Sequence, residues 1–347
     1  MTCQNSDDKN SGTVKRPCKW IAKELSSLDP YTDYEKIFRI STSYGGNDFI
    51  NSLIYALIFP NFIVTEHGAR VVWRNDGGKV LNTATARVEH TELANDTWWY
   101  YGPSNIRTQK SVEAINRLHA RWAKQYPGAF SHNEDYIYTL AFSAIFMHRL
   151  RLRMGLSGFS EKVKIASHIF MGEMVPLFRA EGGVELTGWP QDWDGLITFC
   201  EEYESKGGKG SHRGHLIANA IYDHFAFRWF TPSLRWLGRA IPISLTTPRT
   251  LAANKIERPN VVLRIFIVSL FGWLIWIMET FGPDPQHVFL QDYENMSKED
   301  LAIRKQDHKN LDNAFAAHFV SEYQNPGAGC PYRTDPKLWA SGLDLTA

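Results

Sequence analysis

The chain has 347 residues with 38 Lys and Arg against 37 Asp and Glu, and its formal charge of +1 excludes a general electrostatic attraction to nucleic acid. At this length one large domain or two closely packed ones is expected, and 12 Trp with 20 Phe suit a large apolar interior or a greasy pocket. Four scattered cysteines, Cys3, Cys18, Cys200 and Cys330, form no C-x-x-C pair, which argues against a disulfide framework or structural zinc and for a reducing compartment.

Residues 1–30 read as a loosely packed or disordered tail, rich in Ser, Asp, Lys and Asn and poor in apolar periodicity. No apolar run follows a basic cluster there, so neither a signal peptide nor an N-terminal anchor is expected. A helix is predicted over residues 47–57, ending before Pro60, then a mixed segment over 61–73 and a turn at Asn75-Asp76-Gly77-Gly78. A second helix covers residues 85–100 and a third 110–126, where Pro127-Gly128 stops it. Ser131 to Glu134 has the capping-box form and opens a helix running to about Leu152. Phe159-Ser160-Glu161 opens another, reaching Met174 before Pro176, and a further helix lies near residues 193–204.

Residues 206–210 (KGGKG) read as a flexible loop rather than a phosphate loop, because glycine follows Lys209 and no strand precedes it. Residues 216–230 are helical. Residues 261–278 form a nearly continuous apolar run, interrupted by Arg264, that suits a membrane span, a buried core helix or a monotopic membrane contact. From Ser297 to about Gln324 an exposed, charged helix is predicted, and 325–347 is loop-like. Strand alternation and repeats are nearly absent, so the class is mainly α, a single large helical bundle. The expected layout is a tail over 1–30, a catalytic body over 31–290 and a C-terminal helix and tail over 291–347.

In the third helix, Val112, Ile115, His119, Trp122 and Tyr126 share one inward stripe. His119 is therefore an imidazole aimed at an apolar interior, where it is either hydrogen-bonded in the core or bound to something. On the second helix Arg87 and Thr91 lie one turn apart, on a face with Ala94 and Trp98, which a cation–π surface contact also explains. His212, His215 and His224 give a nominal metal-binding spacing but flank a glycine-rich loop, so a solvated loop is the better reading. Asp223 is expected to face away from His224, and His168 to serve the core or an interface. Asp192 and Asp194 sit too close in sequence to share a helical face as an acid/base pair. No G-x-S-x-G, Cys/His or dinucleotide fingerprint is present.

Taken together, R-x-x-x-T at Arg87/Thr91, the later AINRLHARW helix, the Pro-Gly turn and SHNEDYIYTLAF over 131–142 resemble one family. It holds the latex-clearing rubber oxygenases and the mycophenolic-acid-pathway oxygenases of MpaB type. Glu161 to Met174 and the Tyr203-Glu204 pair resemble its downstream motifs, and the likeness spans roughly residues 44–258. The resemblance implies an all-helical fold with globin-like packing around haem b, His119 as the iron ligand, and Arg87 and Thr91 beside the haem. It further implies a dioxygen-dependent oxygenase acting on an apolar isoprenoid or polyketide-derived small molecule, possibly by C=C cleavage in secondary metabolism. Trp98, Trp122 and Tyr138 are expected to wall the pocket, and His90 stands where MpaB-type members tend to carry Asp. Localisation is expected at the endoplasmic reticulum membrane or in the cytoplasm, not outside the cell. A haem-dependent desaturase, cyclase or rearrangement enzyme, and a non-enzymatic membrane-peripheral helical protein, remain the alternatives.

Overall fold

Side-chain caps and glycine or proline stops divide this chain into helices, as the sequence leads one to expect. A computed structural model describes residues 18–74, 76–206 and 210–324, with the side chains of 320–324 left aside. The first half contains α1 (Ile21–Ser27), α2 (Tyr34–Thr42), α3 (Asp48–Ile58), α4 (Glu66–Val72), α5 (Gly78–Asn82), α6 (Ala84–Tyr101), α7 (Ile106–Ala123) and α8 (Asn133–Arg153). The second contains α9 (Glu161–Met174), α10 (Trp193–Lys206), α11 (His212–Trp229), α12 (Arg235–Leu245), α13 (Pro248–Ala253), α14 (Val261–Phe281), α15 (Phe289–Glu294) and α16 (Lys298–Gln324). The described sheet is a two-stranded antiparallel ribbon, β1 (Arg179–Ala180) with β2 (Val184–Glu185), registered Arg179 to Glu185. The class is mainly α, in one helical bundle.

Several starts follow local chemistry. Asn47 accepts from the Ile50 amide at 3.0 Å, Ser211 from Gly214 at 2.9 Å and Asn260 from Leu263 at 2.8 Å, each satisfying an orphan donor of the first turn. The capping box expected before α8 does not form. Ser131 Oγ donates back to the Gly128 carbonyl at 3.0 Å, and Asn133 exchanges two hydrogen bonds with the Thr187 backbone, both 2.9 Å. The chain's reversal at Gly128 (φ 79°) places Ser131 over the turn rather than over the helix. The segment read as mixed contains α4, a helix of 7 residues too short to carry a clear period. Helix α7 starts and ends earlier than predicted, because Asn105 caps it and Tyr126 lies beyond its end.

Two further expectations are corrected. Trp20 in the supposed tail is buried, its ring 4.8 Å from Tyr44 and its Nε1–H donating to the Pro285 carbonyl at 3.0 Å. Residues 18–30 are thus packed on the body, and residues 1–17 lie outside the described residues. The helix predicted as exposed is α16: most of its described side chains are exposed, but one stripe packs against α5, α6 and α11 and buries Phe315 and Phe319 completely. Its charged composition hides this, because the polar residues face outward or seal other elements. Arg304 bridges Asp48 of α3 (2.5 and 2.8 Å) and Glu89 of α6 (2.5 Å). Burial opposes ionisation of Glu89, yet hydrogen bonds from His308 and Arg304 pull its carboxyl down to about 2.

Helix α11 runs through the interior. His212, His215 and His224 are all buried on it, which corrects the solvated-loop reading. They do not converge. His215 donates from Nδ1 to the Asn254 carbonyl (2.9 Å) and accepts from Asn219 (3.0 Å), whereas His224 Nε2 meets Thr85 Oγ1 at 2.9 Å. Asp223 turns the other way to pair with Arg239, as expected. His168 is structural, its Nε2 bonded to the Pro190 carbonyl at 2.8 Å, and Asp192 accepts from the Gly195 amide at 2.8 Å as a cap.

The start of α6 lacks a side-chain cap of its own. Buried Asp312 of α16 supplies one, accepting from the Thr85 amide at 2.6 Å and the Ala86 amide at 3.4 Å. Asp312→Ala is therefore expected to destabilise the protein by about 2 kcal/mol, the upper end of a cap's contribution, and Asp312→Asn by less. Thermal melting of both variants checks this, and an unchanged midpoint for Asp312→Ala would rule it out.

Candidate functional site

Helix α6 packs against α2, α3, α5, α7, α11, α15 and α16, so no side of it is simply a solvent face. Between its middle turns, α7, α8 and the end of α3 lies a cavity of about 310 Å³, within the range that small ligands occupy, roughly 300–1,000 Å³. Its walls are mostly aromatic and aliphatic: Phe59 and Phe62 after α3, Trp98 and Trp99 of α6, Phe130 after α7 and Leu140 of α8. The polar residues that reach it include Thr91, Glu92 and Asn95 from α6 and His119 from α7.

His119 lies where its helical stripe predicts. Its ring stacks on Phe130 (4.4 Å between centroids, 21° between planes), and Nδ1 is 3.4 Å from the Tyr136 hydroxyl. No hydrogen bond of the described residues reaches Nε2. Burial pushes the ring down to about 4, so it is neutral at physiological pH. If Nδ1–H donates to Tyr136, the lone pair of Nε2 is left available.

Thr91 also lines the cavity, but its single hydroxyl proton is donated to the Arg87 carbonyl at 2.9 Å. It therefore presents acceptor lone pairs to the cavity rather than a donor. Arg87 lies one layer back. Its Nε–H donates to Tyr55 Oη at 2.8 Å and its guanidinium sits 4.6 Å from the Phe59 ring centre, so it holds two wall residues in place. Of the expected aromatic walls, Trp98 lines this cavity, Trp122 lies under Arg74 at 4.5 Å, and Tyr138 lines a neighbouring one. His90 is exposed.

That neighbouring cavity is larger, about 490 Å³, and more polar, and it shares His132 and Asp135 with the first. Asp135 accepts from Tyr203 Oη and pairs with His67 Nε2, both at 2.6 Å, while His67 stacks on His132 at 3.8 Å. Asp135 thus stands with His132 between the two cavities, and Tyr203 lines the larger one.

The residue that sequence reasoning missed is Glu92. It is 3% exposed, lines the apolar cavity, and its Oε2 has no hydrogen-bond partner among the described residues. One turn on, Asp96 is also buried and accepts from Asn51 Nδ2 at 3.2 Å. Burial, with Asp96 adding to it, pushes the Glu92 carboxyl well above the usual range; burial against the Asn51 hydrogen bond pushes Asp96 up to about 7. The only sequence signal is an i, i+4 pair of carboxylates, which on most helices is a solvated feature.

No protein-family model matches the chain, and no curated protein matches it.

Because the folded Asp96 holds its proton to about pH 7 and the unfolded one only to 3.8, folding is favoured at low pH and loses this contribution as pH rises between those values. Asp96→Asn cannot ionise, so it should melt at nearly the wild-type temperature at pH 4 and several degrees higher at pH 8. Melting curves at the two pH values test this; an equal effect at both would contradict it.

Proposed function

We propose that this protein is a haem-dependent oxygenase acting on an apolar small molecule of isoprenoid or polyketide type. The observation that carries the reading is His119: a neutral imidazole with Nε2 unengaged on the wall of a mostly apolar cavity. The donor set suits haem b better than a bare ion. A lone ion needs three or more protein ligands, and the described residues hold no such group of His, Cys, Asp or Glu, whereas a macrocycle brings its own nitrogens. When bound, haem supplies redox activation of dioxygen for oxidative cleavage of a carbon–carbon double bond. His119 Nε2 would hold the iron, and Tyr136 at 3.4 Å from Nδ1 would fix the tautomer and the ring. Phe59, Phe62 and Trp98 exclude water and hold the apolar chain of a substrate. Arg87 acts as a positioning residue through Tyr55 and Phe59, and Thr91 offers lone pairs to a donor such as an ordered water.

Purified protein, or protein reconstituted with hemin, is expected to show a Soret band. His119→Ala should lose it, and Tyr136→Phe should weaken haem affinity by roughly tenfold. A band that survives His119→Ala sinks the ligand assignment, and protein that stays colourless with hemin sinks the cofactor.

The same reading includes a membrane contact through α14. This helix is long and apolar enough to cross a bilayer, yet only 11% of its most apolar stretch is buried. One stripe packs on the body: Ile267 is buried, and a β-carbon at Gly272 would lie 2.4 Å from the Met154 carbonyl. Both ends are also tied down, by Lys19 donating to the Glu279 carbonyl at 2.6 Å and by Ile256, buried just before the helix. A helix tied to its own domain at both ends and along one stripe suits lying in the interface with its free face in lipid. Val262, Phe266, Trp273 and Trp276 form part of that face, and Trp236 on neighbouring α12 is likewise exposed. The full chain should float with phosphatidylcholine vesicles, and Phe266→Glu with Trp273→Glu should lower binding at least about tenfold. Equal flotation of the double variant would remove the membrane from the proposal.

A further inference from the structure

Three hydroxyls on the wall of the apolar cavity are already committed. Thr91, Thr139 and Ser143 all line it, and each donates its single hydroxyl proton to the carbonyl four residues earlier, at 2.9, 2.8 and 2.7 Å. Such hydroxyls are spent on their own helices. Two groups on one turn of α6 are not spent. Glu92 is buried with Oε2 lacking any partner, and no side-chain hydrogen bond among the described residues engages Asn95, three residues on. A buried acid without a partner costs about 1–3 kcal/mol of folding free energy, more if charged, so its place in an otherwise greasy wall calls for an explanation. Burial and the neighbouring Asp96 keep its proton on, which makes it a donor. Asn95 adds an amide N–H beside it. Donors facing an apolar space match a ligand that is hydrocarbon over most of its surface and carries one acceptor without a proton of its own.

We propose that Glu92 and Asn95 form a polar anchor that recognises a carbonyl oxygen on an otherwise apolar ligand of this cavity. This narrows the ligand class of the site described above, but it does not depend on haem: it requires the cavity and not the iron. A carbonyl placed there would accept from the Glu92 acid and the Asn95 amide. The isosteric hydrocarbon would leave that acid unpartnered.

Binding of decan-2-one and of its isosteric alkene, 2-methyldec-1-ene, to the full-length protein tests this. Intrinsic fluorescence is the readout, since Trp98 and Trp99 line the cavity. The wild type should bind the ketone roughly tenfold tighter than the alkene, the effect of one net buried hydrogen bond. Glu92→Leu should abolish that preference while raising the melting temperature, because it removes an unpartnered buried acid. A merely structural acid would not couple those two changes. If Glu92→Leu does not fold, the wild-type comparison still decides: equal binding of ketone and alkene overturns the proposal, as does a ketone preference that survives Glu92→Leu. His119→Ala should keep the preference, so loss of the Soret band with the ketone preference intact separates this anchor from the cofactor assignment.

Discussion

The architecture depends on holding a polar helix in the interior. Helix α6 packs against seven other helices, with His90 exposed, yet it carries Arg87, Thr91, Glu92 and Asp96 through its middle turns. Its placement is secured by groups supplied from elsewhere. Asp312 of α16 caps its first turn, Arg304 of the same helix clasps Glu89, and Asn51 of α3 satisfies Asp96. Tyr55 of α3 takes the Arg87 Nε–H. Each of these partners lies far away in sequence, so α6 can be polar inside only because α3 and α16 are already packed around it.

What that arrangement leaves unsatisfied is as informative as what it satisfies. Thr91, Thr139 and Ser143 are bonded to their own helices, and Arg87 is bonded to the wall rather than to the space within it. Groups on that wall without a hydrogen-bond partner among the described residues include the Nε2 edge of His119, the Glu92 acid and the Asn95 amide. In a mostly apolar volume, any polar atom that enters must find one of these groups or lose its hydration without replacement. Beyond the partition formed by His132 and Asp135, the larger cavity is lined by His67, Tyr203 and Glu204, which are engaged in a polar network.

At the surface, α14 shows the same division on a larger scale. One stripe is fitted to the body closely enough that Gly272 has no room for a side chain, while Val262, Phe266, Trp273 and Trp276 remain uncovered. A soluble monomer rarely leaves so continuous an apolar surface open. Arg264 interrupts the run near its start, where a long side chain can carry its charge back toward water.

Much of the fold was legible in the amino-acid order. Apolar period, caps and proline or glycine stops located most of the long helices to within a few residues, and the stripe through Val112, Ile115 and His119 placed an imidazole on the inner face of α7. These are properties of a helix's own geometry, and the chain carries them locally. Other features lay beyond local reading. Ser131 had the form of a cap but turned back onto Gly128, and the glycine-flanked histidines of α11 proved to be core residues because other helices cover them. Charged α16 looked solvated but brings Phe315, Phe319 and Asp312 inward. Arg87 and Thr91 share a face, yet one backs the wall and the other forms it; Glu92 resembled an ordinary surface acid until its surroundings were known. The sequence by itself determined which residues are helical and which way His119 faces. Only the tertiary structure decided which polar groups were spent and which were left for a ligand, because burial and hydrogen-bond partners are set by neighbours distant along the chain.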